Sequence, residues 1–322
     1  MLSRERVIQV IKHQKPDRVP LYGWLTNDEF EKKVVQAFGS VDNFEDKYEF
    51  DLVHVFPRFG PFRYKEIDNV RKEVGVIEPG QLLSIPLTDP NDSSLYKSIV
   101  DDVKLNKEKK GRFLYIQTPG YFEAYNSPFG IENHLMYLAL YPEELHELYN
   151  RLAQWNVAFA GNCLDIGIDM IHVSDDWGAQ RGLLFNPAIW KELLYPYHKV
   201  VCDAVKARGG FVSLHSDGNI NQVFEDVIEL GYDVVHPFQE SAGMNVYDFK
   251  EKYRGSISIM GGLDVQETIG FGKLDHLRNE IMRIIDLFRD GGLIYCTSHM
   301  IQPHCSIEEL VFAYDFIFEY IR

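Results

Sequence analysis

Eight short apolar runs, separated by longer helical stretches, are the feature of this sequence that most constrains its fold. Their continuous apolar character fits strands that are covered on both faces, as in parallel sheets. We therefore predict eight parallel strands. The runs are rich in β-branched and aromatic residues and read RVPLYGW (18–24), DLVHVFP (51–57), FLYIQTPG (113–120), MIHVSDD (170–176), FVSLHSDG (211–218), DVVHPFQ (233–239), SISIMGGLD (256–264) and GLIYCTSHM (292–300).

The segments between these runs have helical patterns. In residues 219–230 and 276–288, apolar side chains recur at spacings of three and four residues. Gly231 then provides a C-terminal stop for the first of these helices. Strands that alternate with helices over 322 residues predict an α/β fold, a (β/α)8 TIM barrel that forms one domain over residues 1–322. A doubly wound open sheet is the alternative.

Residues 60–112 interrupt the alternation. They are long, polar and rich in turn residues, and a barrel does not need so much chain between its second and third strands. We expect an insertion there. A lid over one face of the barrel and a loop with its own short hairpin are both open interpretations.

The overall charge excludes some classes of partner. A formal net charge of −15 argues against nucleic acid and against an anionic membrane surface, because both require clustered Lys and Arg. The four cysteines form no CxxC pair, so neither a zinc knuckle nor a disulfide framework is predicted. The N-terminal residues have no apolar signal-peptide core, and we expect a cytoplasmic protein.

Polar and aromatic residues stand where the predicted strands end. In a TIM barrel, the C-terminal ends of the strands form the active-site rim, so these groups would converge on one site for a small-molecule substrate. Adjacent Asp175 and Asp176 tend to point to opposite sides, one into the barrel and one towards a cap or Arg181. We assign the pocket to Asp176, Tyr121, Glu123 and Gln239, and cofactor binding to Trp24, Trp177 and Asp264.

His215 and Asp217 are the strongest candidates for chemistry. They are two residues apart in an extended segment, so their side chains share a face and could bind a divalent metal or act as an acid–base pair. With His299 as a third ligand, one coordination position would stay open, as a catalytic zinc needs. The alternative is that Asp217 or Asn219 caps the helix that starts near Ile220.

Three further histidines lie inside predicted strands. For His54, His172 and His236, we expect core packing with a hydrogen bond to the backbone rather than a role in the chemistry.

Several segments together resemble the uroporphyrinogen decarboxylase superfamily. The resemblance covers nearly the whole chain apart from residues 60–112, and it implies a (β/α)8 barrel with a cleft at its C-terminal face and a homodimer as in true decarboxylases. The segments are RERVIQVIKHQKPDRVP, SDDWGAQRGLLFNPAIWKELLYPYHK, LHSDGNINQVFEDVIELGYDVVHPFQESAGMN, SIMGGLDVQETI and GGLIYCTSHMIQP.

Two departures argue against porphyrinogen decarboxylation. True decarboxylases of this superfamily carry an RQAGRY-like segment, whose arginines hold substrate carboxylates, whereas this chain continues as LYGWLTNDEF. Their catalytic aspartate follows the second strand, where this chain reads HVFPRFG.

The other branch consists of cobalamin-dependent methyltransferases, which hold zinc on an HxC pair and a later cysteine. This chain has His215 and Asp217 at the pair and His299 at the later position. The resemblance thus implies a zinc-dependent methyltransferase that moves a methyl group between a small substrate and a corrinoid on a partner protein. The alternatives are a metal-free decarboxylase, with Asp217 or Asp176 polarising the ring, and a non-catalytic binder of tetrapyrroles or of a carrier protein.

Overall fold

A curled parallel sheet forms the centre of the fold. The computed structural model describes residues 1–25 and 28–322. Within these ranges the strands are β1 (Leu52–Val55), β2 (Phe113–Pro119), β3 (Met170–Ser174), β4 (Gly178–Ala179), β5 (Gly182–Leu183), β6 (Phe211–His215), β7 (Val234–His236), β8 (Ser258–Leu263) and β9 (Leu293–Thr297). Seven of them pair in the order β1-β2-β3-β6-β7-β8-β9, and every pair is parallel. The remaining two, β4 and β5, form a short antiparallel pair.

Helices connect the strands of the sheet. As predicted, the helix Leu274–Leu287 buries Leu277, Ile281, Ile284 and Ile285, and Gly231 ends the helix Phe224–Leu230 in a left-handed conformation. Short 3₁₀ helices span Ser93–Tyr96, Asn221–Val223 and Glu240–Ala242, and a π-helix spans Val103–Lys109. The α-helices are α1 (Ser3–Ile11), α2 (Asp28–Phe38), α3 (Val41–Lys47), α4 (Tyr64–Val74), α5 (Pro79–Leu83), α6 (Lys97–Asp102), α7 (Phe122–Phe129), α8 (Ile131–Leu140), α9 (Pro142–Ile166), α10 (Pro187–Leu193), α11 (Tyr195–Ala207), α12 (Phe224–Leu230), α13 (Val246–Tyr253), α14 (Leu274–Leu287) and α15 (Ile307–Tyr320).

The first predicted strand, residues 18–24, is reduced to a single bridge. Leu21 pairs in parallel with Tyr295 of β9, and Tyr22 N donates to the Tyr295 carbonyl at 3.0 Å. On the other side, Asp51 N, just before β1, donates to the Leu21 carbonyl at 2.8 Å. Pro20 has no N–H to donate, which limits a longer ladder. The segment nevertheless bridges the two edges of the curled sheet.

A buried carboxylate anchors this bridge. The Asp51 side chain has no exposed surface and accepts hydrogen bonds from Arg6 Nη1 at 2.6 Å, Arg18 Nη1 at 2.7 Å and Leu21 N at 2.8 Å. Two guanidinium groups thus compensate the buried charge, and the backbone of Leu21 is held by Asp51 through both its N–H and its carbonyl.

Residues 60–112 contain helices and no strand, so they form no hairpin; all of them lie in the described part of the chain. They pack beside the sheet. Arg151 of α9 donates to the carbonyls of Leu83 and Ile85, and Trp155 Nε1 donates to the Thr88 carbonyl at 3.0 Å. This region therefore rests on α9.

We expect Asp51→Asn to lower the free energy of unfolding by about 3–5 kcal/mol, because the change removes the buried carboxylate that Arg6 and Arg18 share, and only Arg6 keeps a close second carboxylate, that of Asp17. Urea denaturation followed by circular dichroism measures the effect. The control is Asp68→Asn, which removes an exposed ion pair with Arg71 and should cost less than about 1 kcal/mol. Equal effects of the two substitutions would contradict the proposal that Asp51 holds the segment that bridges the two edges of the sheet.

Candidate functional site

The residues that follow β3 and β6 meet at one end of the sheet. Ser174 is in register with His215, so the chain leaves both strands at the same level. Beyond them, Asp217 N donates to Asp176 Oδ1 at 2.8 Å. The neighbouring loops therefore bring Asp176 next to the predicted pair His215 and Asp217.

Two glycines allow these loops to cross closely. A Cβ atom added at Gly178 would lie 2.3 Å from the Asp217 carbonyl oxygen. One added at Gly218 would lie 2.5 Å from the Gly178 carbonyl carbon, and Gly218 also has a φ of +76°. Asn219 N then donates to the Ala179 carbonyl at 2.9 Å. The crossing fixes the positions of the carboxylates on either side of it.

Asp176, His215 and Asp217 form a cluster that could hold a metal ion. Their ligand atoms all lie within 4.8 Å of one another. His215 Nε2 is 3.6 Å from Asp176 Oδ1 and 3.9 Å from Asp217 Oδ1. Ligand atoms around a tetrahedral zinc, with bonds of about 2.1 Å, lie roughly 3.4 Å apart, so small side-chain adjustments would satisfy the ion.

An unpaired oxygen supports this interpretation. Asp217 Oδ1 is buried and accepts no hydrogen bond within the described residues. Neither predicted cap forms, because the N-cap residues of the next two helices are Ile220 and Val223; Asn219 Oδ1 instead accepts from Asn221 N at 3.1 Å within the turn. The Asp217 carboxylate is therefore available to a ligand.

His299 lies beside the cluster. Its Nε2 is 4.0 Å from Asp217 Oδ2, and its ring stacks on Trp24 with centroids 5.1 Å apart. The ring centroid of His215 is 6.4 Å away. His299 Nδ1 is buried and has no hydrogen-bond partner among the described residues. The predicted set of His215, Asp217 and His299 thus shares one neighbourhood, with Asp176 closer to His215 than His299 is.

Two carboxyl groups of the site have raised pKa values. Burial and the charge of Asp176 raise the pKa of Glu123 to about 7, against the opposing hydrogen bond from Ser174. Burial raises the pKa of Asp217 to about 6; Asp176 adds to the rise and His215 opposes it. A cation among these groups would relieve their repulsion. The charge arrangement therefore favours the same interpretation as the geometry.

Asp175 has a different function from its neighbour Asp176. It is fully buried and accepts from Tyr121 N at 2.9 Å, from Glu123 N at 2.7 Å and from His198 Nε2 at 2.9 Å. It therefore caps the start of α7 and places Glu123. The predicted division of the two aspartates, one in the site and one capping, agrees with these contacts.

Other residues assigned from sequence lie behind the rim. Tyr121 is fully buried and its hydroxyl donates to the Tyr197 carbonyl. Trp177 is fully buried against Trp190 and His198. The structure thus does not bring Tyr121 and Trp177 together with the cluster.

Two further residues hold turns. Gln239 Oε1 accepts from Gly218 N at 2.6 Å, which supports the loop after β6. Asp264 accepts from Gln266 N at 2.6 Å and from Glu267 N at 3.0 Å after β8.

A cavity of about 420 Å³ adjoins the cluster. Glu123 and Ser174 belong to its lining, and the charges of Asp176 and Asp217 act on Glu123. Among the described residues that line it, none is Arg or Lys. The lining consists of Phe56, Pro57, Gly60, Pro61, Phe62, Tyr64, Gln117, Pro119, Glu123, Ala124, Ser127 and Ser174.

The strand histidines pack inside the sheet. His236 Nε2 is 3.4 Å from the Thr297 carbonyl oxygen, close to the predicted backbone hydrogen bond. His172 Nδ1 instead contacts Ser213 Oγ at 2.7 Å. Both nitrogens of His54 are buried without a hydrogen-bond partner among the described residues. Burial lowers the pKa of all three rings well below the ordinary value, so each is neutral.

Comparison with known proteins gives a family and a fold. The family described as Uroporphyrinogen decarboxylase (URO-D) matches residues 125–320. A methyltransferase from Methanosarcina mazei has a similar structure, with a TM-score of 0.72, 14% sequence identity and full coverage of both chains. A B12-independent methionine synthase from Shewanella sp. W3-18-1, in complex with selenomethionine, has a TM-score of 0.54 and 13% identity, over 96% of this chain and 95% of that one.

No curated protein matches this chain in sequence.

No helix in residues 1–25 and 28–322 has both the length and the apolar character that crossing a membrane requires.

We expect Glu123→Gln to stabilise the metal-free protein at pH 8. The raised pKa means that the folded state binds this proton more tightly than the unfolded chain does. The free energy of unfolding therefore falls as pH rises from about 4.5 to about 7. Removing the charge should raise the free energy of unfolding by roughly 1–3 kcal/mol at pH 8 and by almost nothing at pH 4. Urea denaturation in the presence of a chelator measures both values.

The matched control for this prediction is Glu132→Gln, which changes an exposed carboxylate on α8. It should leave stability nearly unchanged at both pH values. If Glu123→Gln destabilised the protein at pH 8, the proposed strain among the carboxylates would be wrong.

Proposed function

The chain belongs to the uroporphyrinogen decarboxylase family. Within this family, we propose that it is a metal-dependent methyltransferase. It moves a methyl group between a small methylated substrate and a corrinoid carried by a partner protein. The observation that carries this proposal is the cluster of Asp176, His215 and Asp217 beside the cavity, with an unpaired buried oxygen on Asp217. The likeness to a protein named a methyltransferase supports it.

Asp176, His215 and Asp217 would hold the ion. One imidazole nitrogen and two carboxylate oxygens suit zinc, and three protein ligands leave a coordination position for substrate. A zinc ion there supplies a Lewis acid for the heteroatom that loses the methyl group. His299 faces the same space from the end of β9 and is either a further ligand or a contact for the substrate.

Glu123 is the proposed general acid. It belongs to the lining of the cavity, and burial is the largest cause of its raised pKa. That cause remains when an ion neutralises Asp176 and Asp217, so Glu123 still holds its proton more tightly than an exposed carboxyl group does. As the bond between the methyl carbon and the heteroatom breaks, the bonding electrons stay on the heteroatom, which takes the proton from Glu123. The methyl carbon forms its new bond to the acceptor. Phe56, Phe62 and Tyr64 would bind the apolar part of the substrate.

The cavity is a poor site for a porphyrinogen. Such a substrate carries many carboxylates and needs cationic partners. The described lining contains neither Arg nor Lys to pair with those carboxylates. We therefore favour methyl transfer over decarboxylation, which was the alternative drawn from sequence.

We expect about one zinc ion per chain after loading and buffer exchange, and none in His215→Ala or Asp217→Asn. Elemental analysis measures the metal. The control is His276→Ala, which removes an exposed histidine on α14 and should keep the full amount of zinc. Retention in His299→Ala would make His299 a substrate contact, and loss would make it a ligand. A zinc-free wild type, or full zinc in His215→Ala, would contradict the proposed site.

Activity should appear as methyl transfer to free cob(I)alamin from a small substrate that carries a methoxy group or a methylated amine. The absorbance change of the cobalamin measures the transfer. We expect Glu123→Gln to lower kcat by roughly 10²–10⁴-fold, because a positioned acid contributes about that much. Zinc content should stay unchanged. Release of carbon dioxide from uroporphyrinogen without metal would instead support a decarboxylase, and tetrapyrrole binding without turnover would support a binder.

A further inference from the structure

His236 lies directly against the proposed ligand His215. The two residues are in register on neighbouring strands β6 and β7. Their Nδ1 atoms are 2.8 Å apart, their rings lie at an interplanar angle of 27°, and both side chains are buried. Two nitrogens at this distance share one proton, so one ring donates and the other accepts.

The Thr297 carbonyl decides which ring donates. His236 Nε2 is 3.4 Å from this oxygen, which can only accept. His236 therefore keeps its proton on Nε2. A neutral imidazole has one N–H, so His236 Nδ1 carries a lone pair and accepts the proton on His215 Nδ1. The lone pair of His215 is left on Nε2, the nitrogen that faces Asp176 and Asp217.

We infer that His236 is a positioning residue that fixes the tautomer of His215, so that His215 Nε2 is ready to bind a divalent metal. The chain runs from the Thr297 carbonyl through His236 to His215 and ends at the carboxylate cluster. This inference rests on the proposed function, because it takes His215 as a ligand. Hydrogen bonds behind a ligating imidazole commonly orient the ring in this way.

The same rings suggest a rival arrangement. His172, His215 and His236 also bring one nitrogen each within 4.8 Å of one another, so a metal among the three imidazoles is conceivable. All three rings are buried, and His172 Nδ1 already contacts Ser213 Oγ at 2.7 Å. No carboxylate belongs to that group to compensate the charge of a divalent ion. The carboxylates on the other side of His215 favour the arrangement with His236 behind the ligand.

Three variants separate the two arrangements. His236→Leu removes the acceptor, and His236→Asn keeps an oxygen near the position of Nδ1. His172→Leu is the matched control, because His172 is also a buried imidazole near His215 but its Nδ1 hydrogen-bonds with Ser213 Oγ. Competition with a chromophoric chelator measures zinc affinity. Nitrogen NMR of protein labelled with ¹⁵N-histidine, recorded without metal at pH 8, shows which nitrogen of His215 carries the proton.

We expect the proton of His215 on Nδ1 in the wild type and in His236→Asn, but not in His236→Leu. Zinc affinity should fall roughly 10–100-fold in His236→Leu and stay within a few fold in the other two variants. Loss of zinc in His172→Leu would overturn the inference in favour of the three-imidazole site. Unchanged affinity in a folded His236→Leu would also overturn it.

The NMR measurement keeps the inference separate from the proposed function. It needs no metal, so a wild type that binds no zinc would end the proposed function while the proton position still decides the role of His236. If His236→Leu does not fold, the wild-type spectrum alone is decisive, because a proton on His215 Nε2 would overturn the inference.

Discussion

The buried contacts of Asp51 are the interaction on which the rest of this structure depends. Seven parallel strands form a curled sheet with two edges, and within residues 1–25 and 28–322 the short segment around Leu21 bridges them. A single bridge gives little pairing energy, and the carboxylate of Asp51 adds contacts to Arg6, Arg18 and the Leu21 backbone. Because the curvature of the sheet sets where each strand ends, these contacts indirectly position the rim.

The candidate site shows the opposite balance of charge. At Asp51 two cations surround one carboxylate, whereas at the rim Asp176 and Asp217 face one imidazole and their charges also act on Glu123. The first arrangement stabilises the fold. The second carries a free-energy cost that a bound cation would remove, which is how sites that bind metals differ from structural ion pairs.

Much of the fold could be predicted from hydrophobic pattern alone. Seven of the eight apolar runs are strands of the sheet, because continuous apolar stretches that alternate with amphipathic helices leave few other arrangements. The first run does not form a full strand, because Pro20 has no N–H to donate to a neighbouring strand. In residues 60–112, no apolar periodicity predicted the helices that the structure shows there.

The site was less accessible to sequence reasoning. The HxD spacing made His215 and Asp217 candidates, and the paired aspartates made Asp176 one, but their closeness depends on the register of β3 with β6. Tyr121 and Trp177 also follow strands, yet both turn into the interior, which residue type does not reveal. The contact of His236 with His215 required knowledge of which strands are neighbours, so no local pattern could indicate it.

The crossing of Gly178 with Gly218 has a mechanical consequence. The backbones touch where a side chain would not fit, so neither loop can move far without displacing the other. The positions of Asp176 and Asp217 are therefore a joint property of two connections, and a disturbance of either one reaches both carboxylates. A substitution of the side chain at residue 217 changes the group that is offered to a ligand. It leaves the crossing intact, because only backbone atoms form that contact. Such a scaffold can diversify its reactions by changing the groups it presents while its frame stays constant.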